Sequence, residues 1–347
     1  MNTVLKLFDN EDEPMNFDEF KEKFEKVPVT LYSHDVNVQP LVSVCVQTYQ
    51  HGDFIRECLD GILMQQTNFP FEILLGEDAS TDGTREICIE YANKFPWKIR
   101  LFLHHRKNNI AIGGGPTGRF NFMYNLYSAR GRYIALCEGD DYWTDALKLQ
   151  KQVSYLESTP EASICLHNSI VVKNGIAIGE KRKTKRFTVY DTSHALKYKV
   201  LGPTASYLFR NVIELPNWFH SLYGGDAALL VLLSLQGQIH YMPDVMAAYR
   251  IHPTSIERSF ESRPIVKAAW RIKQHKTYID YDIVTMANKL ISIRKILWNN
   301  TFRVLKSVQL MKFNSVIIDS LQIVKYSFMF LFYYIQVIAS KGSKLLD

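Results

Sequence analysis

Apolar positions along the first 140 residues alternate between two periods. Residues 41–46 (Leu-Val-Ser-Val-Cys-Val) and 71–75 (Phe-Glu-Ile-Leu-Leu) are short and nearly continuous in apolarity. Strands covered on both faces read this way. Each is followed by a stretch of helical spacing, near 53–66 and 84–94. Residues 99–103 predict a third strand, a helix near 119–129 follows, and 133–137 predict a fourth strand. This rhythm argues for a parallel sheet covered by helices, with ligands at the carboxyl ends of the strands.

The flanking regions are less regular. Residues 16–27 read as a short amphipathic helix, with Phe17, Phe20, Phe24 and Val27 at helical spacing, Asn16 as cap and Glu19 at the capping-box position. The chain up to about residue 40 then reads as a linker. In the second half, 163–172 and 205–209 predict strands, 181–186 a basic loop, 226–235 a helix and 239–242 a short strand. After residue 265 the pattern is predominantly helical. The expected class is α/β, a mixed, mostly parallel sheet flanked by helices. An N-terminal helix and linker occupy 1–40, the main domain 41–264 and a C-terminal helical extension 265–347.

Composition narrows this picture. With 347 residues, 47% of them hydrophobic, the chain buries a sizeable core and is not a disordered polypeptide. The formal charge of +6 is uneven: the first 25 residues are rich in acids, the last eighty or so are basic and apolar. That asymmetry points to an anionic partner or membrane surface for the C-terminal end. Nucleic acid is not expected, because no Arg/Lys stripe interleaved with aromatics is present. Five cysteines without a CxxC pair predict buried free thiols in a reducing compartment. Residues 1–14 carry no basic start followed by an apolar run, so no signal peptide is expected and the cytoplasm is the expected location.

Four loops carry pointed chemistry. Thr48-Tyr49-Gln50-His51 follows the first strand. Glu77-Asp78-Ala79-Ser80-Thr81-Asp82-Gly83-Thr84 follows the second; its last five residues suit a turn that caps the next helix, which leaves Glu77 and Asp78 to be explained. Gly113-Gly114-Gly115-Pro116-Thr117-Gly118-Arg119 is either a phosphate cradle or a flexible loop, and it lacks the Walker lysine. The fourth is Glu138-Gly139-Asp140-Asp141, three carboxylates in four residues at the end of an apolar strand. A solvated acidic turn is the bland account. The chemical one is a hard cation, held by carboxylates and substrate phosphates.

The order and spacing of these clusters resemble the family 2 nucleotide-sugar glycosyltransferases of the GT-A fold. The resemblance runs from Leu41 to about Ser255. It rests on Thr48-Tyr49, the run Glu77 to Thr84, Ala129-Arg130-Gly131 leading into Glu138-Gly139-Asp140-Asp141-Tyr142-Trp143, then Gly225-Asp226 and Tyr249-Arg250-Ile251-His252.

What the resemblance implies is an inverting transfer of a sugar from a nucleotide diphosphate, with uridine the favoured base. The acceptor would be a hydroxyl of a glycan or lipid-linked saccharide in surface polysaccharide synthesis. Thr48, Tyr49, Asp78, Arg119, Glu138, Gly139 and Asp140 would bind the donor, with Asp78 toward the base and Arg119 toward the diphosphate. Asp140 would hold Mg²⁺ or Mn²⁺, and His252 is a metal or diphosphate ligand or else structural. Asp226 would be the catalytic base, and alone it would read as a helix cap. Trp143 and Trp218 are sugar-stacking candidates or core. The competing functions are a silent sugar-binding scaffold of the same fold and a sugar nucleotidyltransferase. The second would need a Gly-rich Arg/Lys loop after the first strand, which 47–53 lacks.

Residues 316–339 are strongly apolar, with Asp319, Gln322 and Lys325 on one face of the early turns and basic residues upstream. These charges leave the segment short of a spanning helix, which needs about 20 predominantly apolar residues. An interfacial helix on the inner face of a membrane is the favoured expectation. Packing on the catalytic domain or in a dimer is the alternative.

Overall fold

The computed structural model describes residues 14–112, 115–183, 185–197, 201–212, 214–222, 224–253, 264–280, 285–309 and 313–343. Its first half contains α1 (Phe17–Phe24), β1 (Thr30–Leu31), β2 (Val42–Thr48), α2 (Ile55–Leu63), β3 (Phe71–Glu77), α3 (Thr84–Lys94), β4 (Ile99–Leu103), α4 (Arg119–Ser128) and β5 (Tyr133–Leu136). There follow β6 (Tyr142–Trp143), α5 (Lys148–Ser158), β7 (Ala162–Lys173), β8 (Ile176–Glu180), β9 (Thr188–Tyr190) and α6 (Thr192–Leu196). The chain continues through β10 (Leu208–Arg210), α7 (Gly225–Gln236) and β11 (Gln238–Ile251). Three helices close it: α8 (Pro264–Asp280), α9 (Met286–Gln309) and α10 (Phe313–Ser343).

One sheet, ordered β1-β4-β3-β2-β5-β10-β7-β11-β6, carries the site. Pairing is parallel across β4-β3-β2-β5 and again between β7 and β11; the other junctions are antiparallel. The chain winds outward from β2 to β3 to β4, then crosses back over α4 to place β5 on the other side of β2. Successive strands depart in opposite directions there, which opens a crevice at the carboxyl ends of β2 and β5.

Both faces of the sheet are covered, as the apolar runs required. Val42, Val44 and Val46 pack with Ile55, Leu59 and Leu149, on the side of α2 and α5. Cys45 and Leu74, on the alternate positions, pack with Phe120, Phe20 and Leu229 of α4, α1 and α7. All five cysteines are buried free thiols. A buried carboxylate ties the amino ends of the strands together. Glu72 accepts Ser43 Oγ at 2.7 Å, Arg130 Nη2 at 2.7 Å and Arg100 Nη1 at 3.3 Å.

Several elements differ from expectation. The short strand expected at 239–242 is a 14-residue strand, because pairing with β7 resumes after a register shift at Met242/Val245. The strand expected at 205–209 begins at Leu208, since Thr204–Ser206 form a 3₁₀ turn after Pro203. The linker contributes β1 to the sheet edge, and α1, with its full Asn16–Glu19 capping box, ends at Phe24. Val27 leaves the helix because its backbone N–H and carbonyl both bond the Asn108 side chain, at 2.8 and 2.7 Å.

The C-terminal helices pack together, α9 against both α8 and α10, around Ile272, Ile279, Ile293, Ile296 and Tyr326. Among the described residues no helix is long and apolar enough to cross a membrane.

Candidate active site

The apolar strand β5 delivers its chain directly into the acidic hairpin. Gly139 lies against the end of β2, its N–H on the Gln47 carbonyl at 3.0 Å. A Cβ there would meet Thr48 Oγ1 at 2.6 Å and His51 Nδ1 at 2.8 Å, so only glycine lets the hairpin close onto β2. Glu138, next to it, is pushed up to about 8, first by burial and then by the charges of Asp140 and Asp226, with Thr204 and Gln47 pulling the other way. Like charges gathered in a poorly solvated cleft each disfavour ionisation of the others.

Asp140 is held on two sides by histidines. His252 Nε2 lies 3.0 Å from its Oδ2 and His51 Nε2 3.9 Å away. Burial raises its pKa, but the His252 hydrogen bond and the charge of both imidazoles outweigh that and keep Asp140 below its usual range. His51 is anchored in turn by Thr48 Oγ1, 3.1 Å from Nδ1, and burial lowers its pKa. Asp141 points away from this pair. Its Oδ1 accepts the Arg250 N–H at 2.8 Å, and burial, with Asp140 and Glu138, drives its carboxyl well up. The Arg250 side chain clamps the hairpin from outside: it donates to the Asp140 carbonyl at 2.7 Å, pairs with Glu57, and lies over the Tyr142 ring at 4.3 Å.

At the other end of the crevice Asp78 terminates β3. Its Oδ2 accepts from Arg106 and from Asn109 Nδ2, the latter at 3.1 Å, while burial raises the carboxyl to about 6 against their pull. The Arg106 guanidinium lies 3.9 Å above the Tyr49 ring, which is 40% exposed. Tyr49 and Arg106 thus form a flat, solvent-facing step beside a carboxylate.

Asp226 stands exposed in the first turn of α7. Its charge reaches Glu138, Tyr207 and Tyr278. Arg119, expected toward a diphosphate, is engaged within the protein. It is buried, donates from Nη2 to the Leu222 carbonyl at 2.6 Å and lies over the Phe219 ring at 5.1 Å. A Cβ on Gly225 would sit 1.8 Å from its Nη1. The guanidinium is therefore a strut beneath the start of the helix that presents Asp226.

Residues 43–212 match the family model described as Glycosyl transferase family 2. Residues 43–212 are thus a region of the glycosyl transferase family 2 type. An uncharacterized protein of Mycobacterium tuberculosis is 36% identical over 218 residues, 63% of this chain and 61% of that protein. The chain thus matches about three fifths of the length of its mycobacterial relatives. A putative teichuronic acid biosynthesis glycosyltransferase of Bacillus subtilis, TuaG, is 26% identical over 69% of this chain and 96% of its own length. Among solved structures, S. aureus TarS 1-349 in complex with UDP-GlcNAc superposes with a TM-score of 0.57 at 17% identity, covering 80% of this chain and 79% of that one. The fold is the GT-A arrangement of a mixed sheet between helices.

Other expected residues of the family 2 domain prove structural. Glu77 is buried and closes its own turn through the Ser80 and Ala79 N–H groups, at 2.6 and 3.2 Å, with Arg85 on the same oxygen as Ala79. Asp82 accepts the Thr84 N–H and hydroxyl at 3.2 and 2.6 Å at the start of α3 and holds the Gly52 N–H at 2.8 Å. Trp143 is core, its Nε1 on the Ala205 carbonyl at 2.9 Å, and Trp218 is buried. Of the glycine loop, Gly113 and Gly114 lie outside the described residues, as do Thr184 of the basic loop and Ser255 at the end of the resemblance; Thr117 ties the loop to Asn109 and Ile110 at 2.6 and 2.7 Å.

Arg106, Asn109 and the second histidine, His51, carried no expected role. A signal for the first two exists: the polar run His104 to Asn109 follows β4 at the same sheet edge as the other three clusters. Asking which polar residues follow every parallel strand would have found them.

Proposed function

We propose that the chain is an inverting glycosyltransferase that moves a sugar from a nucleotide diphosphate donor, a UDP-sugar, to a hydroxyl of a glycan or lipid-linked saccharide. The observation that carries this reading is the convergence of Glu138, Asp140 and Asp226 on the crevice between β2 and β5, where burial and then the charges of the other two push Glu138 to about 8. Such a cleft is completed by positive charge brought from outside. Surface polysaccharide assembly is supported by the Bacillus subtilis relative, which is named for teichuronic acid biosynthesis.

Among the described residues no three His, Cys, Asp or Glu side chains converge as a self-sufficient metal cage. A two-ligand site suits a divalent ion that shares its shell with substrate phosphates. Asp140 and His252, 3.0 Å apart, supply one oxygen and one imidazole nitrogen, a set that fits Mn²⁺ better than Mg²⁺. Bound there, the ion would neutralise charge on the leaving diphosphate.

The remaining work falls to the chain. Tyr49 and Arg106 form a stacking step for a planar base, and Asp78 beside them accepts a base N–H. Thr48 fixes His51, and through it the carboxylate of Asp140. Arg250 locks the hairpin so that Asp140 and Glu138 face the donor. Asp226 accepts the proton of the acceptor hydroxyl as it attacks the anomeric carbon, which inverts that centre in one displacement. Arg119 positions Asp226 by holding the helix start.

The test is a panel of nucleotide sugars with Mn²⁺, read first by thermal shift and then by transfer. One donor should raise the melting temperature by mass action and be turned over. No stabilisation and no turnover with any donor would leave the silent scaffold as the better reading.

A further inference from the structure

The last helix, α10, is apolar on both sides and turns its polar groups inward. Met329, Phe330 and Tyr333 pack on the core of the helical unit. Asp319 is 1% exposed and paired with Arg303 Nη1 at 3.2 Å, Gln322 accepts Lys276 Nζ at 3.2 Å, and Tyr326 joins the core of the helical unit. The outward positions are Ile317, Ile318, Leu321, Val324, Phe328, Leu331 and Phe332, each more than half exposed. At 100° per residue they fill an arc of roughly 140° whose one charge, Lys325, stands near its margin. Adjacent α9 exposes Trp298 and Leu305, with Arg294 one turn before the tryptophan.

Contiguous apolar surface of this extent marks an interaction face. Its form discriminates between occupants. A two-helix seam is a narrow stripe flanked by charged positions that set pairing. Here the stripe is broad, with Ser327 and Tyr334 beyond one margin, Gln322 and Met329 beyond the other, and Lys325 the one charge near them. The opposite side of α10 packs on α9, with Gln322 reaching Lys276 of α8, so the described part of the helix offers one face and not a circumference. From 264 to 343 the chain carries twelve Lys and Arg against three Asp and no Glu. A broad apolar face with aromatics, backed by a strong basic surplus, fits the boundary of an anionic bilayer.

We infer that α10 seats its outward face in the plane of an anionic lipid surface, holding the transferase domain against the membrane. The inference stands apart from the donor chemistry, since the assay needs neither donor nor acceptor.

The full chain is sedimented with vesicles of phosphatidylglycerol and phosphatidylcholine, and with vesicles of phosphatidylcholine alone. Binding to the anionic vesicles is expected. It should fall about tenfold or more with pure phosphatidylcholine, with 0.5 M salt, and in the Leu321→Ser/Phe328→Ser double variant. Both side chains are exposed, so the variant should keep the wild-type circular dichroism and melting temperature. Folded wild-type protein that stays in the supernatant with anionic vesicles would overturn the inference. So would a dimer in sedimentation velocity that the same double variant abolishes, because the face would then belong to a second copy.

Discussion

Two groups of carboxylates are buried in one sheet, at opposite ends of its parallel strands, and they are treated in opposite ways. At the amino ends Glu72 is wholly buried, yet Ser43, Arg100 and Arg130 surround it with donors. At the carboxyl ends Glu138, Asp140 and Asp141 crowd together near Asp226, and two of the four are driven upward in pKa. The chain evidently has arginines to hand, since Arg250 and Arg106 border the second group. Arg250 is turned to the hairpin backbone and to Glu57, and Arg106 to Asp78. A buried acid neutralised from within is a fastener. Acids crowded at a crevice, with only Asp140 relieved by histidines, we read as a receptor for charge from outside.

The largest expected effect tests the receptor. Asp226→Asn should lower transfer by about 10²–10⁴-fold while donor-induced stabilisation persists, because a positioned base contributes on that scale. Steady-state transfer together with thermal shift checks it, and near-native turnover would remove the base assignment. The fastener comes next. Glu72→Ala should cost about 3–5 kcal/mol, since it strands two guanidinium groups at the sheet. Urea unfolding reads this, and a loss under about 1 kcal/mol would reduce Glu72 to an ordinary polar contact.

A buried group of the other sign sharpens the contrast. Lys148 is fully buried over the Trp143 ring at 3.9 Å, with no hydrogen-bond partner for Nζ among the described residues, and burial lowers its pKa to about 7. A lysine depressed in the folded state opposes folding fully below that value. The penalty then shrinks as pH rises from about 7 toward the ordinary 10.5. Lys148→Met should therefore stabilise by about 1–3 kcal/mol at neutral pH, with the gain fading by pH 10. Melting temperatures of both proteins from pH 6 to 10 check this, and a pH-independent difference would count against it. The smallest effect is expected for Glu138→Gln. Relief of repulsion should raise the stability of the donor-free protein by about 1 kcal/mol and weaken its thermal response to Mn²⁺. A destabilised variant with an undiminished Mn²⁺ response would mean that the acids do not oppose one another.

Legibility in the sequence followed the range of the interactions involved. β2, β3 and α3 were readable because two-sided burial writes a continuous apolar run, and the Asp82–Thr84 contact lies within a few residues. The acidic hairpin was readable for the same reason, as a local break from apolar to charged. β11 was underestimated because Pro243-Asp244 interrupts its apolar run, and its second half is a strand through pairing with β7 and β6. Arg106 went without a role because Asp78 lies 28 residues earlier, and only the parallel pairing of β3 with β4 brings them together. Arg119 was expected toward a diphosphate, and its contact with the Leu222 carbonyl was not legible because 103 residues separate the two.

The strut of Arg119 under Gly225 also links distant parts of the chain. A methyl group on residue 225 would meet the guanidinium, which would have to shift. A change at position 225 is therefore felt at the glycine loop that precedes α4, and a change at position 119 at the helix that carries Asp226.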